Sequence, residues 1–122
     1  MSTVTERIGN LIRVVRAVPN NKFDLAMWYN TGTHCGCALG HAMRDNWFVA
    51  QGFSQPYVSL SCMKDVADFF EISIDRVNAL FVRHIGYETR QDVLTALRVL
   101  LLEKMAKELT PQVEAMEIEL AE

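Results

Sequence analysis

Histidine and cysteine, the side chains that bind zinc or carry redox chemistry, cluster in the segment THCGCALGHA at residues 33–42. The candidate metal ligands are His34, Cys35, Cys37 and His41. Cys37 and His41 are four residues apart, a separation that lets two side chains on one helix bind the same metal ion. Zinc prefers thiolate and imidazole ligands. The spacing is therefore compatible with a small metal-binding domain centred on Cys37 and His41.

The geometry of such a site depends on where the helix begins. A helix that starts near Cys35 places four polar side chains on one stripe: His34, Cys37, His41 and Asp45. Cys35 then points about 100° away from His34, so both cysteines can face one metal ion only if Cys35 precedes the helix. Structural zinc sites usually draw their ligands from two separated pairs, and the sequence has no second pair of this kind.

Two other interpretations of the same segment are a dithiol redox pair and helix packing. The redox pair matches the segment poorly, because the usual dithiol motif has two residues between its cysteines and a strand before it, whereas Cys35 and Cys37 are separated by a single residue. Packing is the third interpretation, because cysteine behaves as a small buried hydrophobe and Gly36 and Gly40 open a groove on a helix. We favour packing and predict no cofactor, with zinc as the alternative. The residues to which we assign packing roles are Gly36, Gly40, Trp28, Trp47 and Phe70.

The composition limits the class of protein. The chain has 122 residues, 50% of them hydrophobic, and a formal net charge of −3. This length predicts one domain over residues 1–122, and the mild acidity disfavours bulk attraction to nucleic acid or anionic lipid. Three cysteines cannot all pair within the chain, and the first residues lack an apolar signal segment. We therefore expect a cytoplasmic protein with reduced thiols and no membrane-spanning segment.

Helical periodicity accounts for most of the chain and predicts a compact all-α bundle of about six helices, with an irregular segment near residues 19–34. Thr3 is followed three residues later by Glu6, as in a capping box. Pro111 predicts a separate last helix over residues 111–121, because proline is favoured at the first helical position. The predicted helix caps are Thr3, Ser73, Thr89 and Thr110.

Residues 66–81, VADFFEISIDRVNALF, have the spacing of a DNA-binding helix-turn-helix unit. Ala67 occupies the position where the first helix needs a small residue, but Glu71 stands at the turn position that usually holds glycine. The predicted base-reading residues are Arg76, Asn78 and Arg83. Glu71 and Asp75 would repel phosphate, and the basic face expected of a DNA-binding domain is missing. Nucleic-acid binding through residues 66–84 is therefore an alternative function and not the favoured one.

The last part of the chain is more apolar than a surface helix needs to be. Residues 93–109, VLTALRVLLLEKMAKEL, are rich in leucine, and residues 111–121 place Val113, Met116 and Leu120 on one face. A terminal helix with surplus apolar residues often docks on another chain. We therefore predict an accessory or protein-interaction protein, not an enzyme, that forms a homodimer or binds another protein.

Several short segments resemble a family of small bacterial and phage helical proteins to which no activity is assigned. The matching segments are FDLAMW (23–28), CGCALGHA (35–42), WFVAQGF (47–53), VADFFEIS (66–73) and ALF (79–81). The family pattern is F-D-x-x-x-W, then C-G-x(0–3)-C-x-x-G-[HW]-A, then W-F-x-x-x-G-[LF]. The chain departs from it at Leu25, at Glu71 and in its short cysteine spacing. The resemblance implies a compact helical domain of bacterial or prophage origin and adds no catalytic residue.

Overall fold

The computed structural model describes residues 2–25, 29–30, 32, 35–53 and 60–121, and for residues 29–30, 35, 60–62 and 110–121 it describes the backbone. Within those residues the six α-helices are α1 (Val4–Ala17), α2 (Ala38–Ala42), α3 (Asn46–Ala50), α4 (Leu60–Phe70), α5 (Ile74–Phe81) and α6 (Arg90–Ala121). A 3-10 turn covers Asn20–Lys22, and two short strands, β1 (Tyr29–Asn30) and β2 (Cys35–Gly36), pair antiparallel. The predicted all-α fold of about six helices is confirmed.

The first helix begins where its sequence predicts. Thr3 Oγ1 accepts a hydrogen bond of 3.2 Å from the Glu6 backbone N–H, and the Thr3 hydroxyl lies 3.3 Å from Glu6 Oε1. The first contact satisfies one of the donors that the opening turn of a helix leaves without an intrahelical acceptor. α1 ends at Ala17, because Val18 precedes Pro19 and is held in the extended region.

The cysteine–histidine segment does not form one helix. α2 begins at Ala38 with Cys37 as its N-cap, whereas Cys35–Gly36 is β2. The helix start predicted near Cys35 is therefore wrong. The helical stripe predicted from that start is wrong as well, and it comprised His34, Cys37, His41 and Asp45.

Strand pairing explains why the helix starts late. Glycine is a poor helix former, and the backbone of Gly36 is already engaged on two sides. Its carbonyl oxygen accepts a 2.9 Å hydrogen bond from the Asp24 N–H, it bridges to Phe23, and it is the register partner of Tyr29 in β1. These contacts come from residues distant in sequence, so the local helical spacing gives no sign of them.

A tight turn joins α4 to α5. Glu71 has a left-handed backbone with φ of 53°, and the Ile72 N–H donates a 3.0 Å hydrogen bond to the Ala67 carbonyl oxygen. Ser73 Oγ then accepts a 3.1 Å hydrogen bond from the Arg76 N–H, which confirms the predicted cap of α5. The turn therefore has the conformation that glycine usually supplies, although its side chain is glutamate.

α6 is one helix of 32 residues, so the separate helix predicted over residues 111–121 is wrong. Thr89 and Asp92 cap its start reciprocally. The Asp92 N–H donates a 3.1 Å hydrogen bond to Thr89 Oγ1, and the Thr89 N–H donates a 2.9 Å hydrogen bond to Asp92 Oδ2. Pro111 removes one backbone donor, but the residues on both sides are mostly strong helix formers, and the helix continues through it. No helix in the described part of the chain is both long enough and apolar enough to cross a membrane.

The core draws on all six helices, and α1 and α6 form the most extensive helix pair around it. The buried side chains of these two helices are Ile8, Leu11, Val14, Val15, Val93, Leu94, Leu97 and Leu100. A group of phenylalanine rings extends the core, with the rings of Phe53 and Phe69 stacked at 4.6 Å between centroids. The buried side chains of α6 lie between Val93 and Leu100, and Val99, Leu102, Met105 and Leu109 are exposed.

Candidate functional site

Cys37 and His41, the centre of the predicted zinc site, are both engaged inside the protein. Cys37 is 2% exposed, and burial is the main cause that raises the pKa of its thiol. Cysteine binds metals and attacks electrophiles as a thiolate, so these surroundings favour the unreactive form. His41 Nε2 lies 2.9 Å from the Lys22 carbonyl oxygen, and since a carbonyl can only accept, the ring nitrogen is the donor.

The other predicted ligands cannot be compared with this geometry. His34 lies outside the described residues, as does Trp28, which was assigned a packing role, and Cys35 is described as backbone in β2. Among the side chains that the structure does describe, no group of three or more His, Cys, Asp or Glu residues is arranged to hold a metal ion. The zinc site stays a prediction.

The residues assigned to packing lie in different settings. Gly40 is buried in α2 and Gly36 lies in β2, so the prediction that they form a groove on one helix is wrong. Phe70 is 1% exposed and its ring contacts three other phenylalanine rings. Trp47 is partly buried, and its ring stands edge-on to Phe48 at 5.0 Å between centroids.

A cavity of about 330 Å³ lies beside His41 and is lined by the end of α1, the 3-10 turn and α2. Arg13 Nη1 and Nη2 bind Asp45 Oδ1 and Oδ2 there, at 3.1 and 2.8 Å. Asp45 also caps α3 by accepting a 3.1 Å hydrogen bond from the Trp47 N–H. The Arg13 guanidinium is the first cause that holds the pKa of Asp45 below its ordinary value. The carboxylate of Asp45 therefore joins α1 to the start of α3.

Both arginines among the predicted base-reading residues form ion pairs with carboxylates of the same chain. Arg76 Nη1 lies 3.0 Å from Glu103 Oε2 on α6, and Arg83 Nε lies 2.7 Å from Glu88 Oε1. Asn78 is exposed on α5. A phosphate group would have to compete with a carboxylate of the same chain for either arginine.

An apolar surface runs along the side of α6 that faces away from the core. We call it the outer face of α6, and it consists of Val99 (48% exposed), Leu102 (65%), Met105 (44%) and Leu109 (52%). These residues follow one another at intervals of three or four, so they lie on one side of the helix. Contiguous exposed apolar surface marks interaction sites. The leucine surplus of residues 93–109 was predicted from the sequence, but this exposed face was not.

Comparison of the chain with protein-family models, with curated proteins and with solved structures gives no significant match. The resemblance to a bacterial and phage family stays a prediction.

Proposed function

We propose that this chain is an accessory protein of the bacterial cytoplasm that acts by binding another protein chain through the outer face of α6, and that it is not an enzyme. The observation that carries the proposal is the exposure of Leu102, which is 65% accessible between two other half-exposed apolar residues. Fully burying a Val, Leu or Met side chain contributes about 1.5–3 kcal/mol. Covering four such side chains, each about half exposed, therefore favours association by several kcal/mol.

The surroundings of the outer face support binding. Arg98 and Glu103 are exposed on the same stretch of α6 and flank this face. An apolar centre with a charged rim is the usual composition of a protein interface, because the centre is desolvated while the rim stays in contact with water.

The state of Cys37 does not support thiol catalysis at this residue. A nucleophilic cysteine needs a lowered pKa in a partly exposed, electropositive setting. Burial does the opposite here, since it raises the pKa of the Cys37 thiol.

Site-specific photo-cross-linking tests the proposal. A photoreactive amino acid at position 102 should give covalent protein adducts when living bacteria that express the chain are irradiated. The matched control is position 85, because Ile85 is also apolar, is 100% exposed and lies outside α6. Adducts at position 102 that do not exceed those at position 85 would contradict the proposal.

A second candidate function, DNA binding by residues 66–84, is favoured by the turn between α4 and α5. Glu71 has the left-handed backbone, with φ of 53°, that the helix-turn-helix turn requires, and Ser73 caps the second helix. The ion pairs of Arg76 and Arg83 weigh against it.

Fluorescence anisotropy with a random DNA duplex decides this second candidate. If α5 binds DNA, Arg76→Ala should weaken the affinity and reduce the salt dependence by about one counterion. Since phosphate attraction is strongest at low salt, absence of binding at about 20 mM salt would eliminate DNA binding.

A further inference from the structure

Val99, Leu102 and Leu109 of the outer face belong to a seven-residue repeat that continues to the end of the helix, and Met105 lies beside it at position g. With Val99 at position a, the a positions hold Val99, Ala106, Val113 and Leu120, and the d positions hold Leu102, Leu109 and Met116. Apolar residues at a and d are the pattern of helices wound around each other in a left-handed coiled coil. Pro111 falls at position f, away from the a/d stripe.

The a/d stripe lies on the side of α6 opposite to the core. Val93, Leu97 and Leu100 are at most 1% exposed and occupy positions b and f of the same repeat, whereas Val99 and Leu102 are 48% and 65% exposed. A second helix can therefore lie along the a/d stripe without displacing a core contact.

We infer that the chain covering this face is α6 of a second copy, paired as a parallel, in-register, two-stranded coiled coil. The inference rests on the proposed function, because it identifies the partner of the same surface. β-branched residues at a with leucine at d favour two parallel helices over three or four. Two of the four a positions (Val99 and Val113) and two of the three d positions (Leu102 and Leu109) have this composition.

The charges beside the stripe are complementary between two parallel copies. In such a pair, a residue at position g faces position e of the next repeat on the other helix, which places Arg98 opposite Glu103 of the second copy. Glu103 already binds Arg76 of its own chain through both carboxylate oxygens, so Arg98 would join an existing ion pair. Arg98 is exposed and forms no ion pair with any described residue of its own chain. Two-fold symmetry gives this attractive pair twice.

The length of α6 gives a second copy a long surface to pair with. In residues 101–109, Leu101 packs against the core and Lys104 donates a hydrogen bond to the Glu71 carbonyl oxygen, while the outer face stays exposed. Packing of an apolar face supplies most of the stability of a helix in a protein. The stripe from Val99 to Leu120 is about 32 Å long at 1.5 Å per residue, and pairing with a second α6 covers all of it.

Sedimentation equilibrium on the full chain tests the pairing. The expected mass is about twice the 13.9 kDa of one chain. In the double variant Leu102→Glu/Leu109→Glu, four carboxylates enter the stripe of each pair, and the dissociation constant should rise by about 100-fold or more. The matched control is Ile118→Glu, the same change at position f, which should leave the dimer intact. Circular dichroism of each variant verifies that the helices are retained.

Disulfide trapping tests the orientation. In a parallel pair, residue 99 lies opposite residue 99 of the second copy, so Val99→Cys should give a cross-linked dimer on mild oxidation. In an antiparallel pair the two positions are about 30 Å apart and cannot be bridged. Because the chain has three other cysteines, the unchanged chain is oxidised alongside as the reference.

The outcomes separate this inference from the proposed function. A monomer at about 100 µM, a double variant that stays dimeric, or a Val99→Cys chain that does not cross-link overturns the parallel dimer. If the chain is a monomer and the cross-linker at position 102 captures a different protein, the second copy is wrong and the proposed function holds. A monomer with no adduct at position 102 overturns both.

Discussion

At the scale of single residues, the pair between Arg13 and Asp45 shows how one carboxylate can serve two elements. It binds the guanidinium through two hydrogen bonds and also caps α3. Asp45→Asn keeps a good cap but removes the charge, so we expect it to lower the free energy of unfolding at pH 7 by about 0.5–1 kcal/mol, as for a partly exposed ion pair. Urea unfolding of the variant and of the unchanged chain measures the difference.

The pH dependence of that difference follows from the lowered pKa of Asp45. A carboxyl whose pKa is lower in the folded state than its ordinary value of 3.8 stabilises the fold above that value. The contribution is lost as the pH falls from about 4 through the lower, folded-state pKa. We therefore expect the stability gap between the unchanged chain and Asp45→Asn to be constant from pH 7 to about pH 5 and to close below about pH 4. A gap that persists into strong acid would contradict an ionic origin.

The role of Asp45 could not be predicted from local spacing. The sequence analysis placed it on a helical stripe with His41, whereas its partner Arg13 is 32 residues away. A contact of this range depends on how α1 packs, and the spacing of residues within one helix gives no information about that packing. Cys37 differs in this respect, because its burial agrees with the packing interpretation drawn from the chemistry of cysteine.

At the scale of elements, the backbone of the turn between α4 and α5 is strained at Glu71, and this strain can be tested by substitution. Non-glycine residues in the left-handed region cost about 1–2 kcal/mol, and Glu71 has φ of 53°. Glu71→Gly should therefore raise the free energy of unfolding by about 0.5–1 kcal/mol, the remainder being offset by the greater freedom of glycine in the unfolded chain. The carbonyl of residue 71 that Lys104 binds belongs to the backbone and is retained. Chemical denaturation measures the gain.

Glu71→Ala is the control for this prediction. It removes the same side chain but keeps a Cβ atom, so the left-handed strain remains and no gain is expected. Equal stabilisation by alanine and glycine would assign the effect to the lost carboxylate instead of the backbone.

Helix starts were predictable where the cap is local and missed where it is not. The caps at Thr3 and Ser73 use hydrogen bonds to residues three positions later, so the sequence contains both partners. The start of α2 depends on the pairing of Gly36 with Tyr29 and on its contact with Asp24, which are not visible in local periodicity. Pro111 predicted the start of a new helix because proline is favoured at that position, but the good helix formers around it allow α6 to continue past it.

At the scale of the whole molecule, the all-α class followed from periodicity, because helical spacing is repeated in nearly every segment. Which parts of α6 are buried and which are exposed was harder to predict. Its first part buries Leu97 and Leu100 in the core, and its later part presents Leu102 and Leu109 outward. An excess of leucine indicates that two faces are apolar, but only the fold shows which face is already covered.

Pairing through α6 should couple stability to concentration. If folded chains associate and unfolded chains do not, mass action stabilises each chain by about 0.7 kcal/mol per tenfold rise in concentration above the dissociation constant. For a domain of this size, that corresponds to about 3 °C in Tm. The double variant Leu102→Glu/Leu109→Glu should still fold, because its core residues are untouched. Since it no longer pairs at these concentrations, its Tm should be lower and should not change with concentration. Calorimetry over a hundredfold concentration range measures both slopes, and a flat slope for the unchanged chain would show that its stability does not depend on a second copy.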